Sequence, residues 1–347
     1  MLVLPFGRER IRRVAPRPSC LIDELRYHSA RPAGDSHLSI RSRLLSLAIK
    51  VALKPMLHRE DLSIENLRAR IATSDQMSGK IPAHVASDTC QLGGVPCRRI
   101  RSLDANAERV VVYFHGGGYV LPGAAGHALV AAHLSRAARC EVVLVDYRLA
   151  PESPFPAAVE DALAVVIALA AEGIAFERMV LAGDSAGGGL AAATLLNLKN
   201  QGLPQPAAAA LISPWLDLAL TGDSMKTNHM KDPMLSKAVL DRWAKLYLGE
   251  RDPLAPLASP LFGDLAQLAP VLVHVGETEV LLGDAEQFVD HIIDAGGSAA
   301  LKVFSNVPHV FQLLIGRVPE AKTSLDLIGQ YILEQFEAGE REGSETP

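Results

Sequence analysis

Three short segments carry residue types that together suit attack on an ester carbonyl. Residues 183–187 read Gly-Asp-Ser-Ala-Gly and follow the apolar run Met179-Val180-Leu181-Ala182. A serine on a tight turn between a buried strand and a helix holds its hydroxyl in a strained, exposed position. The next backbone N–H then faces the reacting carbonyl. The flanking glycines leave room where a Cβ would meet the neighbouring strand or helix. This placement predicts Ser185 as nucleophile and the Ala186 N–H as one oxyanion donor. The small residues from Ala186 to Ala193 begin a helix able to pack closely on a sheet.

The second segment, His115-Gly116-Gly117-Gly118-Tyr119, directly follows the apolar run Val110–Phe114. Consecutive glycines at a strand end let the backbone approach a ligand and aim N–H groups at it. In ester hydrolysis the carbonyl becomes an oxyanion, and one preorganised donor is worth roughly 10²–10³ in rate. Two glycine N–H groups with that of Ala186 complete such a hole. A phosphate-binding loop would carry a lysine and open a helix at once. Here Tyr119-Val120-Leu121-Pro122-Gly123 follows, which favours the oxyanion.

The third segment is Val307-Pro308-His309-Val310-Phe311. A general base for Ser185 must be a histidine on a loop at the same sheet edge. His309 is the last of eleven histidines and follows the nucleophile in chain order. The others fit less well: His115 lies in the glycine loop, His274 within a strand, and His127, His133 and His291 in helices. His229 falls in a segment outside the strand rhythm. An acid must orient the imidazole and stabilise its charged form. Glu277, Glu279 and Asp284 all follow the strand Val271–Gly276, and spacing leaves the three open. Asp184 is assigned to fixing local backbone and His115 to bracing its loop. This chemistry calls for no metal or organic cofactor.

The elements that must position these residues are legible as alternating runs. His84–Thr89 and Val95–Arg101 flank Gly93-Gly94 as an antiparallel hairpin. Further strands are expected at Arg109–Phe114, Glu141–Asp146, Met179–Gly183, Ala208–Ser213, Val271–Gly276 and Ala300–Phe304. Helical patterns lie between them, at His127–Ala138, Ala157–Ala171, Ala186–Asn200, Leu235–Leu248, Asp284–Ala295 and Pro319–Phe336. Val-, Leu- and Ala-rich strands alternating with helices predict an α/β protein with a mostly parallel sheet covered on both faces. Eight strands with an antiparallel start match an α/β-hydrolase sheet. Residues 76–213 and 259–340 form the expected catalytic domain. Residues 1–75, an N-terminal arm and helical segment, and residues 214–258, which interrupt the alternation, are expected to cap it.

Composition narrows the partners. The chain has 347 residues, 49% of them hydrophobic, which suits one large α/β domain with an insertion. A formal charge of −5 argues against nucleic acid as partner. The arginines Arg8, Arg10, Arg12, Arg13 and Arg17 read as a solvated arm. Met1–Phe6 is too short for the apolar core of a secretion signal, and the arginines come after it. The apolar run Ala162–Ala171 follows Glu160 and Asp161 and reads as a core helix, so no integral membrane association is expected. Cys20, Cys90, Cys97 and Cys140 lack metal spacing and are expected as free thiols in a cytoplasmic protein. A Cys90–Cys97 pair across the first hairpin ranks below that. The last strand is a candidate edge, through which a homodimer would pair.

These motifs resemble the hormone-sensitive-lipase-like serine esterases, the bacterial group carrying HGGG and GDSAG motifs. The resemblance spans roughly residues 80–315. Asp146-Tyr147-Arg148-Leu149-Ala150-Pro151-Glu152 is similar to the family's block after the fourth strand. Ser213-Pro214-Trp215-Leu216-Asp217 and Ser259-Pro260-Leu261 are also similar. The resemblance implies Gly117 and Gly118 as the glycine oxyanion donors. It implies Glu279 as the acid, because Glu279-Val280-Leu281-Leu282 matches the family's D/E-x-L-L form. The implied activity is a carboxylesterase acting on small esters with short to medium acyl chains. Tyr119, Trp215, Leu281, Val310 and Phe311 flank the catalytic segments as pocket candidates, and each is equally a core candidate. A deacetylase or lactonase acting on a natural product would use the same machinery. A small-molecule receptor on this fold is the alternative from another class; retention of His309 with Ser185 argues against it.

Overall fold

The computed structural model describes residues 40–59, 61–75 and 81–345. The arginine-rich stretch to Arg17 and Cys20 lie outside the described residues. Eight strands form one sheet: β1 Ala86–Leu92, β2 Val95–Arg101, β3 Asn106–Phe114, β4 Cys140–Val145, β5 Met179–Asp184, β6 Ala208–Ile212, β7 Val271–Gly276 and β8 Ala299–Phe304. Their spatial order is β1-β2-β4-β3-β5-β6-β7-β8. β1 and β2 pair antiparallel, β2 meets β4 antiparallel, and all other pairs are parallel. The C-terminal ends of β3, β5, β7 and β8 therefore emerge at one edge. The segments after those four strands hold the three motifs and the candidate acids.

The first strand begins and ends later than its composition predicts. Gly93 and Gly94, at φ +58° and +83°, make a two-residue turn that closes on Leu92 opposite Val95. The pairing thus runs up to the turn, and Cys90 falls opposite Cys97, both as free thiols.

The longer helices are α1 Ile40–Ala48, α2 Ile64–Asp75, α3 Ala125–Ala137, α4 Ala157–Ala171, α5 Ala186–Asn200, α6 Lys237–Leu248, α7 Leu282–Asp294 and α8 Pro319–Glu345, with short helical turns at Lys54–Leu57 and Ser224–Thr227. α3 and α8 cover one face of the sheet, where Val111, Val142, Val180 and Ala210 meet Val130, Leu134, Ile328 and Ile332. The other face packs Val112, Leu181 and Val273 against α4, α5 and α7 in a larger cluster that also takes in Leu67 and Trp243. Removing a fully buried Leu or Val side chain from water is worth about 1.5–3 kcal/mol, so these clusters dominate the stability. Ser236 caps α6 by accepting from the Val239 N–H, which starts the helix after Leu235. α8 continues beyond Phe336 through polar sequence, and Arg109 holds Glu340 by two hydrogen bonds of 2.9 and 2.6 Å.

The N-terminal helices are tied to the sheet domain by side chains. Arg68 donates to the carbonyls of Val120 and Ala150 and to both carboxylate oxygens of Glu152. Lys54 Nζ donates to the Asp232 carbonyl at 2.7 Å, and His58 Nε2 lies 2.6 Å from Ser236 Oγ. Among the described residues, no helix is long and apolar enough to cross a membrane.

Candidate active site

Ser185 stands between β5 and α5 with φ 54° and ψ −122°, a conformation that L-residues rarely adopt. The surroundings impose it. Its N–H donates to the Ile212 carbonyl at 2.8 Å, and its carbonyl accepts from Trp215 at 2.9 Å and Gly189 at 3.1 Å. A Cβ on Gly187 would collide with the Phe114 carbonyl, so α5 can start this close to β3 only with glycine there.

His309 comes from the loop after β8. Its Nε2 lies 2.9 Å from Ser185 Oγ and its Nδ1 lies 2.6 Å from Glu279 Oε2. Ser185, Glu279 and His309 are exposed by only 7%, 0% and 5%. Burial opposes a charge on His309, but the Glu279 carboxylate outweighs it, with Asp232 and Asp184 adding to the same sign. The imidazole pKa is raised above its ordinary value as a result. The other Glu279 oxygen accepts from Ser213 Oγ at 2.7 Å and from the Gly276 N–H. The carboxylate is thereby fixed on both sides.

The structure separates the three candidate acids. Glu279 turns back toward β7 and reaches His309. Glu277 is exposed, and its N–H donates to the Phe304 carbonyl. Asp284 Oδ2 accepts from the N–H groups of Leu216 and Asp217, both at 3.0 Å, and so holds the loop after β6. Burial and the neighbouring Asp217 push the Asp284 carboxyl well above its ordinary range.

The glycine loop after β3 has Gly117 at φ +126° and Gly118 at φ +63°. A Cβ at Gly118 would strike the indole of Trp243, which α6 lays against the loop. From beneath, Asp184 supports it: a Cβ at Gly116 would collide with the Asp184 carboxylate. That carboxylate accepts from Tyr113 Oη at 2.9 Å and lies 3.3 Å from His127 Nε2. Burial works against its charge, yet the His127 imidazole and the Tyr113 hydroxyl hold its pKa below the ordinary value. His115 stacks on Tyr147 at 4.4 Å, and burial lowers its pKa to about 4, so it is neutral at pH 7.

The five pocket candidates are all buried. Tyr119 stacks on Tyr247 at 3.9 Å and tilts toward Trp215 at 6.2 Å. Leu281 belongs to the large cluster under α7. Val310 packs into the α3–α8 face, and Phe311 packs with Val307, Val318 and Ala321.

Ser213, Trp243 and the Tyr113–His127 pair escape the sequence reading. Ser213 directly follows β6 and opens the Ser-Pro-Trp block, and that position is the one signal it leaves in the sequence. His127 lies in a helix, away from any strand end, and so carries no such signal. Among the described residues, no group of three or more His, Cys, Asp or Glu is placed to hold a metal ion.

A sequence profile of the alpha/beta hydrolase fold family matches residues 111–313. The chain is 42% identical to an acetyl-hydrolase of Streptomyces hygroscopicus over 224 residues, 65% of this chain and 75% of that protein. It is 36% identical to an esterase of Acinetobacter venetianus over 242 residues, covering 70% and 80% of the two chains. A crystal structure of an esterase from the bacterial hormone-sensitive lipase family superposes with a TM-score of 0.82 at 37% identity, covering 86% of this chain and 99% of that one.

Proposed function

The chain belongs to the bacterial hormone-sensitive-lipase family of alpha/beta-hydrolase esterases, and we propose that it cleaves small carboxylic esters with short to medium acyl chains through Ser185, His309 and Glu279. It is a carboxylic ester hydrolase; the triad and the acyl range are our reading. The observation that carries it is the unbroken chain from Glu279 Oε2 to His309 Nδ1 at 2.6 Å and from His309 Nε2 to Ser185 Oγ at 2.9 Å.

In this reading Ser185 Oγ attacks the ester carbonyl carbon while His309 Nε2 takes its proton. The carbonyl oxygen becomes an oxyanion facing the N–H groups of Gly117, Gly118 and Ala186. The tetrahedral intermediate collapses, the C–O bond to the alcohol breaks, and His309 returns the proton to the leaving oxygen. Water then attacks the acyl-enzyme by the same route and releases the acid. Glu279 keeps the hydrogen on Nδ1 and stabilises the imidazolium between the steps. The similarity to an acetyl-hydrolase favours acetyl among the short acyl groups.

Hydrolysis of p-nitrophenyl esters from acetyl to long acyl tests this, with wild type and Ser185→Ala compared side by side. We expect activity that peaks at short chains and falls about 10⁴-fold or more in the variant, which stays folded. A folded variant that keeps its activity overturns the assignment of the nucleophile.

A further inference from the structure

The segment between β6 and α6 includes Ser224, Asn228 and Asp232, four residues apart and all buried. Their side chains meet the backbone of the acid loop. Ser224 Oγ donates to the Val280 carbonyl and accepts from the Gly283 N–H at 2.9 Å. Asn228 Nδ2 bridges two carbonyls, that of Glu277 at 3.1 Å and that of Glu279 itself at 2.9 Å. Asp232 Oδ2 accepts from the Val280 N–H at 2.9 Å, while its Oδ1 accepts from Met234 and Leu235, both at 2.8 Å. This irregular loop has no strand partner to satisfy those peptide groups. The three side chains replace the missing partner.

From this geometry we propose that Ser224, Asn228 and Asp232 form a clamp of positioning residues that sets the register of the acid loop, and so the aim of the Glu279 carboxylate at His309. The proposal rests on the triad reading given above. The Glu279 side chain is already fixed by Ser213 and Gly276 at one oxygen. With that oxygen anchored, the backbone position of residue 279 determines how its second oxygen meets Nδ1. The clamp holds that position from the far side. Asp232 has an additional effect through charge. It is one of three carboxylates, with Glu279 and Asp184, that favour the protonated His309. Two cations meet the clamp: Lys231 Nζ donates to Asn228 Oδ1 at 3.2 Å, and Lys54 Nζ on the N-terminal side donates to the Asp232 carbonyl at 2.7 Å. The clamp therefore links the N-terminal helices, the segment after β6 and the catalytic loop in one path.

Two variants separate position from charge. Asp232→Asn keeps an oxygen for Met234 and Leu235, loses the acceptor for Val280 and removes the charge. Asn228→Ala releases both carbonyls and the Lys231 ammonium, and leaves the Asp232 charge in place. Both are compared with Glu279→Gln in p-nitrophenyl acetate hydrolysis across pH, read at the isosbestic wavelength and normalised by organophosphate titration of reactive sites.

We expect kcat per titrated site to fall about three- to tenfold in each clamp variant, the equivalent of one or two lost hydrogen bonds, with KM changed less than about twofold. The acid limb of kcat/KM should move to lower pH in Asp232→Asn and stay in place in Asn228→Ala. A merely structural role would lower the melting temperature and leave kcat per site and the acid limb unchanged; that result overturns the clamp. If Asp232→Asn fails to fold, kcat of Asn228→Ala decides by the same criterion. An active Glu279→Gln overturns the triad reading and the clamp together. An inactive Glu279→Gln beside clamp variants of wild-type rate overturns the clamp alone.

Discussion

Replacing Glu279 with glutamine changes one oxygen to an amide nitrogen and leaves the shape of the side chain intact. In the wild type, Oε1 receives two hydrogen bonds, from Ser213 and Gly276, and Oε2 receives one from His309. Glutamine has a single acceptor oxygen, which is better used toward the two donors. Its NH₂ then points at His309 Nδ1 and forces the imidazole to carry its hydrogen on Nε2. An Nε2–H cannot accept the Ser185 proton. Restoring the productive tautomer sets two donors against each other in a buried site, at about 1–3 kcal/mol. The imidazolium also loses its counter-charge, which at about 4 Å and an effective dielectric of about 20 is worth about 4 kcal/mol. Together these slow kcat/KM by about 10⁴-fold, at about 1.4 kcal/mol per tenfold. The assay is p-nitrophenyl acetate hydrolysis near neutral pH, with circular dichroism confirming the fold. A folded Glu279→Gln within tenfold of wild type would refute the assignment of the acid and the tautomer argument with it.

Two further expectations follow from the same site. As the proposed base His309 works only when neutral, and its folded-state pKa is raised, so kcat/KM should be full above that pKa and lost as pH falls through it. The midpoint of that acid limb should lie above histidine's ordinary value of 6.5, and a midpoint at or below 6.5 contradicts the electrostatics described. Asp284→Ala leaves the N–H groups of Leu216 and Asp217 without their acceptor, at a cost of about 2–3 kcal/mol, so the melting temperature should drop by several degrees. Its kcat should remain within tenfold of wild type, and a larger loss than that of Glu279→Gln would reassign the acid.

The sheet was readable because its strands are nearly continuous Val, Leu and Ala runs, such as Val110–Phe114 and Val271–Gly276, separated by helical patterns. The candidate triad was readable for a related reason. Ser185, Glu279 and His309 each lie within a few residues of a strand end, and parallel strands bring such ends to one edge. Local spacing could not rank Glu277, Glu279 and Asp284, because the ranking depends on where each side chain turns after Gly276. Glu279 turns back to the Gly276 N–H; Asp284 sits on α7 and is committed to Leu216 and Asp217.

What lay beyond sequence reading shares one property. Asn228 and Asp232 meet the acid loop across about fifty residues of chain, His127 meets Asp184 across 57, and Trp243 meets Gly118 from a different segment. No periodicity relates such partners. A serine, an asparagine and an aspartate spaced four residues apart read as an ordinary polar stripe until the irregular loop they satisfy is seen beside them. Residues that react are tied to strand ends by the reaction's geometry, and so leave a pattern. Residues that hold them in place need only reach them, from wherever the chain passes. The segment after β6 shows the consequence: read from its sequence it interrupts the fold, yet its buried side chains complete the hydrogen bonding of the loop that carries Glu279.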